Sequence, residues 1–372
     1  MTVSKQPNRT IKREPITDTT LLMSITIGIF LVMYVIAMLA FGGGFLKPQQ
    51  IFDTLNENAF LIIIACGLTT VMITGSIDIS VGGVTALVTM VDVMILNGSL
   101  WPDIQMSDGM RIFCAALMAL TIGLAYGIIQ GGLIAYLEIQ PFIITLAGMF
   151  FARGMITIIS VQPQKVTGVI ADMLQRRLEI PWLGPPNKKG IMIPAKMELG
   201  VIIALAVVVL IFILLRWIKL GRNFYAVGGN WQSALMLGIN VRHTRFLAHL
   251  ISSLLAGIAG FVFTMHTCAG NATNATASEM NAIASSIIGG TLLSGGVGNV
   301  IGTFFGVLTL TTIKSIVVTS GLREPWWQSI TTGAMLCFFI LLQSVVLSRR
   351  NKKSSVPIWL RRVRGRLPQL HK

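Results

Sequence analysis

Acidic residues are scarce in this sequence: 14 Asp and Glu among 372 residues, against 29 Lys and Arg, with all charged residues together only 12%. A soluble domain carries about a quarter charged residues, so this composition, 53% hydrophobic with a mean hydropathy of +0.76, excludes an ordinary water-soluble fold. Cysteine is also sparse. Cys66, Cys114, Cys268 and Cys337 form no CxxC pair, and three of them lie inside apolar runs, so neither a disulfide framework nor a zinc site is indicated. No Gly-x-Ser-x-Gly or His-Glu-x-x-His pattern occurs. The nearest phosphate-loop lookalike, Gly290 to Gly296, lacks the Lys and the Ser/Thr that reach phosphate and magnesium. The chain therefore reads as no enzyme, with no cofactor or metal of its own. An active pump built on it needs an energy source on another chain.

What the sequence has in abundance is long apolar runs. Ten stretches of near-membrane length lie at 21–41, 58–75, 80–97, 111–135, 142–160, 198–218, 244–266, 282–294, 298–318 and 327–347, which predicts an all-α polytopic membrane protein. The first run is too long for a signal-peptide core, no A-x-A site follows it, and it reads as an anchor. The net charge of +15 is distributed by side, with Lys5, Arg9, Lys12 and Arg13 in the first tail, five basic residues in 216–245 and nine after Leu347. Alternating spans put all three groups in the cytoplasm, as the positive-inside bias requires, with no need for a nucleic-acid partner. The chain divides into a basic tail 1–20, a membrane-spanning region 21–347 and a basic tail 348–372, with N- and C-termini cytoplasmic. The loop 161–197 falls outside despite Lys165, Arg176, Arg177, Lys188, Lys189 and Lys196, and its prolines and Trp182 predict an ordered external cap.

Several spans are interrupted. Gly75-Ser76-Ile77-Asp78-Ile79-Ser80-Val81-Gly82-Gly83 breaks one apolar run in two, and 282–294 is short and ends in Gly295-Gly296-Val297-Gly298. Irregular backbone at membrane depth survives only where protein or a wet cavity satisfies it, and broken helices are how transporters build a path. Two glycine ladders, Gly123, Gly127, Gly131 and Gly298, Gly302, Gly306, each mark one helix face for close packing. They fall in the fourth and ninth spans. Asp78 precedes the third and Glu279 the eighth, so the pattern predicts five spans repeated with inverted orientation.

The residues able to carry function have two readings each. Asp78 and Glu279 either cap helix N-termini or line a path. With Glu279, Asn281 could accept hydrogen bonds from a polyhydroxylated ligand. Arg153 either snorkels outward or faces a cavity. Trp326 and Trp327 are belt anchors or stacking surfaces for sugar. Asp92 and Lys314 could pair within the membrane, while His249 and His266 read as packed rather than metal-binding. Between the basic flanks Arg216, Lys219, Arg222 and Arg242, Arg245, the N-cap Asn230 and the stop at Gly238 predict a short helix over Trp231 to Leu237. It is either a headgroup-bound helix or a docking element.

The run Gly67-Leu68-Thr69-Thr70-Val71-Met72-Ile73-Thr74-Gly75-Ser76-Ile77-Asp78-Ile79-Ser80-Val81-Gly82 resembles a segment of bacterial sugar ABC-transporter permeases of the ribose, arabinose and galactose type. Gln140 to Met149, Tyr225 to Asn230, Ile288 to Gly298 and Trp326-Trp327-Gln328 are similar too, closest to galactofuranose-type permeases. The resemblance implies a permease subunit that pairs with a second, identical or different, and translocates a monosaccharide delivered by a periplasmic sugar-binding protein across the bacterial inner membrane. It implies a cytoplasmic ABC ATPase that holds ATP and Mg and docks on Asn230, Trp231, Ala234, Leu237 and Gly238, with Ala234 and Gly238 letting the helix seat in a groove. Asp78, Arg153, Glu279, Asn281 and Trp326 then belong to the substrate pathway. Ser76 and Asn281 depart from the Gly and Asp expected there. The rival reading is an autonomous secondary carrier, in which Asp78, Arg153 and Glu279 handle a coupling ion.

Overall fold

A computed structural model describes residues 18–42, 45, 47–102, 105–181 and 194–354, with side chains to residue 345. Trp182 and the basic tails lie outside the described residues, apart from 18–20 of the first tail and 348–354 of the second. Ten helices correspond to the ten apolar runs: α1 (Asp18–Phe41), α2 (Pro48–Ile73), α3 (Ser80–Leu96), α4 (Asp108–Tyr136), α5 (Pro141–Ile159), then α7 (Leu199–Trp217), α10 (Val241–Thr267), α11 (Ser278–Ile288), α12 (Val300–Thr319) and α13 (Pro325–Ser354). Among the described residues three more complete the set: α6 (Val169–Leu174), α8 (Lys219–Gly229) and α9 (Trp231–Met236). Eight of these helices are long and apolar enough to cross a membrane, α3 is shorter at 17 residues, and α11 has only 11. The protein is an all-α multi-pass membrane protein.

Local chemistry sets the helix starts. Pro48 and Pro141 open α2 and α5, where a missing N–H costs nothing. Ser107, Asn230, Asn240 and Asn299 accept hydrogen bonds from the first-turn amides of α4, α9, α10 and α12. α2 is the central post, buried from Leu61 to Ile73 and packed by α7, α10, α11 and α12. Gly123, Gly127 and Gly131 face α10, where an added Cβ would meet the backbones of Ser253, Leu250 and Phe246 within 3.1 Å. Gly302 and Gly306 face Gly289 and Ser285 of the α11 segment. Ladders in corresponding spans thus have non-corresponding partners, α4 crossing to the other half and α12 staying within its own.

α11 ends at membrane depth, so its last carbonyls need partners that lipid cannot give. Thr26 of α1 donates to Ile288 O at 2.5 Å and Gln343 of α13 donates to Ile287 O. A hydroxyl cluster then fixes α11 to its neighbours, with Thr69 Oγ1 3.1 Å from Ser286 and 2.7 Å from Thr303. The starts of α1 and α12, the α8–α9 segment and the end of α2 lie at one face of the bundle, as Tyr225 Oη donates to Gly298 O at 2.9 Å and Asn299 Nδ2 to Met23 Sδ.

At the opposite face the loop after α5 is ordered where described. β1 (Gln164–Lys165) pairs with β4 (Ala269–Gly270), and β2 (Arg177–Ile180) with β3 (Ala195–Glu198), both antiparallel. Glu198 anchors this cap, accepting from Arg177 at 3.1 Å and His266 Nδ1 at 2.7 Å while its own N–H donates to Asn56 at 2.9 Å. Burial alone would raise the Glu198 carboxyl, but His266 and Arg177 outweigh it and hold it below the usual glutamate value. With the folded value depressed, its contribution is complete above the unfolded value of about 4.3 and is lost as pH falls through the folded one. Glu198→Gln should cost about 1.5–3 kcal/mol at neutral pH. Thermal melts in detergent should show the difference from the parent shrinking on acidification.

Candidate functional site

Three glycine segments from distant parts of the chain meet at the face that carries α8 and α9. Gly75 ends α2 with φ +78°, Gly228-Gly229 end α8, and Gly295-Gly296 (φ +85° and +76°) form the turn between α11 and α12. Gly296 N–H donates to Ile73 O at 2.9 Å, so the loop supplies the partner that the last turn of α2 lacks. A Cβ on Gly295 would sit 2.8 Å from Gly75 N and 3.0 Å from Gly228 O, and one on Gly296 2.8 Å from Gly229 Cα. Only glycine permits backbones this close at positive φ. The junction joins the two membrane breaks directly to the helix before α9.

α8 is amphipathic, burying Gly221, Phe224 and Val227 on one side. α9 then turns outward, with Trp231 49%, Leu235 58%, Met236 89% and Leu237 80% exposed. Ala234 is 2% exposed and packs with Val227 and Val241, so its small side chain holds α9 to the helix bundle. Gly238 takes φ +79° and donates to Leu235 O at 3.0 Å, stopping the helix. Beside α9 a cleft of about 840 Å³ is lined by Ile139, Pro141, Trp231, Leu235, Ile239 and Arg242, with Arg242 paired to Glu138 at 2.7 Å on its rim.

Asp78 is fully buried within the break between α2 and α3. Its Oδ1 accepts from Ser80 N at 3.0 Å and Ser80 Oγ at 2.6 Å, and its Oδ2 from Ser252 Oγ at 2.9 Å. Ser80 Oγ also lies 3.0 Å from Gln130 Oε1, so the acid ties α3 to α4 and α10. Glu279, 8% exposed, lies against Gly82 in the first turn of α3, where the helix dipole favours negative charge. Asp78→Ala should strand these donors and lower stability by about 2–4 kcal/mol, whereas Asp78→Asn, facing hydroxyls that can turn and accept, should lose much less. Melting of the purified protein checks this.

Arg153 of α5 donates to the carbonyls of Ala272 (2.9 Å), Asn274 (2.7 Å) and Ala275 (3.2 Å), latching the segment that leads into α11. Non-glycine residues Cys268, Ala275 and Ala277 hold positive φ there. Lys314 Nζ donates to Asn281 Oδ1 at 2.8 Å, and Asp92 takes a long 3.5 Å bond from Thr264, so these two ions have separate partners instead of pairing. Trp326 is 59% exposed at the start of α13, and among the described residues no hydrogen bond joins it to the others. The sequence reading quoted Ser80 and Gly228 within motifs without giving either a role, and it did not single out Gln130 or Ser252. The available signal was polar residues inside otherwise apolar helices and a glycine pair at a helix end.

The family described as Branched-chain amino acid transport system / permease component matches residues 50–340. The inner membrane ABC transporter permease protein YjfF of Escherichia coli K12 is 37% identical over 90% of this chain and 96% of its own length. The fructose import permease protein FruG of Bifidobacterium longum is 31% identical over 86% and 89% of the two chains. The ribose import permease protein RbsC of Bacillus subtilis is 32% identical over 85% and 90%. No solved structure matches the chain.

Proposed function

This chain belongs to the permease-component family just described, and on that premise we propose that it is the membrane-spanning subunit of an ATP-driven importer of a monosaccharide, galactofuranose or galactose among the candidates. The observation that carries the reading is near-full-length similarity to permeases whose own names include fructose and ribose import. Those relatives favour it over an autonomous secondary carrier. As a permease component the chain is a transport subunit and not an enzyme.

In the proposed assembly it spans the bacterial inner membrane with both termini and 216–245 in the cytoplasm, paired with a second permease subunit. A periplasmic sugar-binding protein delivers substrate, and a cytoplasmic ABC ATPase carries ATP and Mg. The ATPase grips Trp231, Leu235, Met236 and Leu237, with Asn230 and Gly238 fixing the ends of the helix. Movement of α9 reaches both membrane breaks through the glycine junction without passing through flexible side chains. Asp78 holds α3 together, while Arg153, Glu279 and Asn281 border the path. Trp326 serves as an interfacial anchor.

Proteoliposomes holding the chain, its ATPase and its binding protein should take up labelled galactose, fructose or ribose only with ATP. Uptake by the chain alone under a proton or sodium gradient would establish the carrier instead.

A further inference from the structure

Polar side chains at membrane depth face protein or a wet path, not hydrocarbon. At the start of α11, Met280 is 53% exposed, with Glu279 turned to Gly82 of α3 on one side and Asn281 to Lys314 of α12 on the other. The charges flanking Met280 are not alike. Arg153 is spent on three carbonyls and has the charge of Glu279 nearby. Lys314 has an amide oxygen as its partner, and among the described residues none of the ion pairs includes it. It lies five residues before the end of α12, about 8 Å along the axis, within snorkelling range of the surface. Its ammonium is instead held at Asn281, and among the described residues its other two N–H donors have no partner.

Resting on the permease reading, we infer that Met280 faces the water-filled transport path and that Lys314, seated on Asn281, makes the path electropositive. The free N–H groups of Lys314 and of the Asn281 amide are donors, so they meet hydroxyl, ring or carboxylate oxygens. Neutral and anionic oxygen-rich solutes pass, and cationic ones such as amino sugars are rejected.

The test uses Met280→Cys in the full importer in proteoliposomes, with two membrane-impermeant methanethiosulfonates, one sulfonated and one quaternary ammonium. Rates are measured against the parent, which retains its four native cysteines. Met280→Cys should react with both reagents above that background, and faster with the anion. Adding Lys314→Met should lower the anion-to-cation rate ratio by about tenfold, while Lys314→Arg keeps it. No reaction at Met280→Cys would put that residue in lipid, and a ratio indifferent to Lys314→Met would remove the electrostatic role. Either result overturns the inference. Absence of ATP-driven uptake by the parent importer, with the labelling pattern as expected, would count against the permease reading alone.

Discussion

Gly228→Ala is expected to abolish ATP-driven uptake. The new methyl would press on Ile73 O and lie 2.6 Å from Gly296 N, intruding on the hydrogen bond that joins those two atoms. Nothing nearby is a flexible side-chain end that could move aside. α8 cannot easily retreat either, because Phe224 and Val227 are 0% and 2% exposed in the body of the protein. Overpacking against fixed backbone costs about 1–3 kcal/mol, and relief here requires the junction to open, which detaches α9 from both membrane breaks. The adjacent Gly229→Ala is the control, since a Cβ there meets nothing within 4 Å. Gly229→Ala should keep uptake within about twofold, allowing for the modest backbone difference between Gly and Ala. Equal loss in both variants would show that the junction transmits nothing specific.

Met236→Asp combined with Leu237→Asp is expected to release the ATPase while the permease stays folded. These side chains are 89% and 80% exposed, so their removal disturbs no internal packing. If α9 is the docking element, these apolar side chains are buried against the ATPase, and two carboxylates in their place should weaken association at least about a hundredfold, the loss of a hot spot. Ala234→Glu makes the contrast. It forces a carboxylate between Val227 and Val241, so it should lower the melting temperature of the isolated chain as well as uptake. Co-purification of the ATPase with each variant, read beside thermal melts, separates docking from folding. Undiminished co-purification of the double variant would remove α9 as the docking element.

Much of this was legible before the structure. The break at Gly75–Asp78 and the short α11 were visible as glycine and acid inside apolar runs, because lipid tolerates neither without compensation. The helix over Trp231–Met236 followed from Asn230 and Gly238, both local devices. The packing of Ala234 was not legible, because smallness suits an inward contact as well as an outward one, and only tertiary structure tells them apart. Asp92 and Lys314 looked like a pair because both are costly in membrane, yet each found a different polar neighbour.

By itself the sequence determined the membrane class, the location of nearly every helix and the places where helices break. Each is decided within one or two turns, by apolar run length, caps and glycines. The tertiary structure alone decided that Gly75, Gly228 and Gly296 share one junction, that Asp78 meets Ser252 and Glu279 meets Gly82, and that Lys314 keeps an amide for a partner. Those meetings join segments as much as two hundred residues apart, and they depend on which surfaces fit closely enough to satisfy buried backbone and charge.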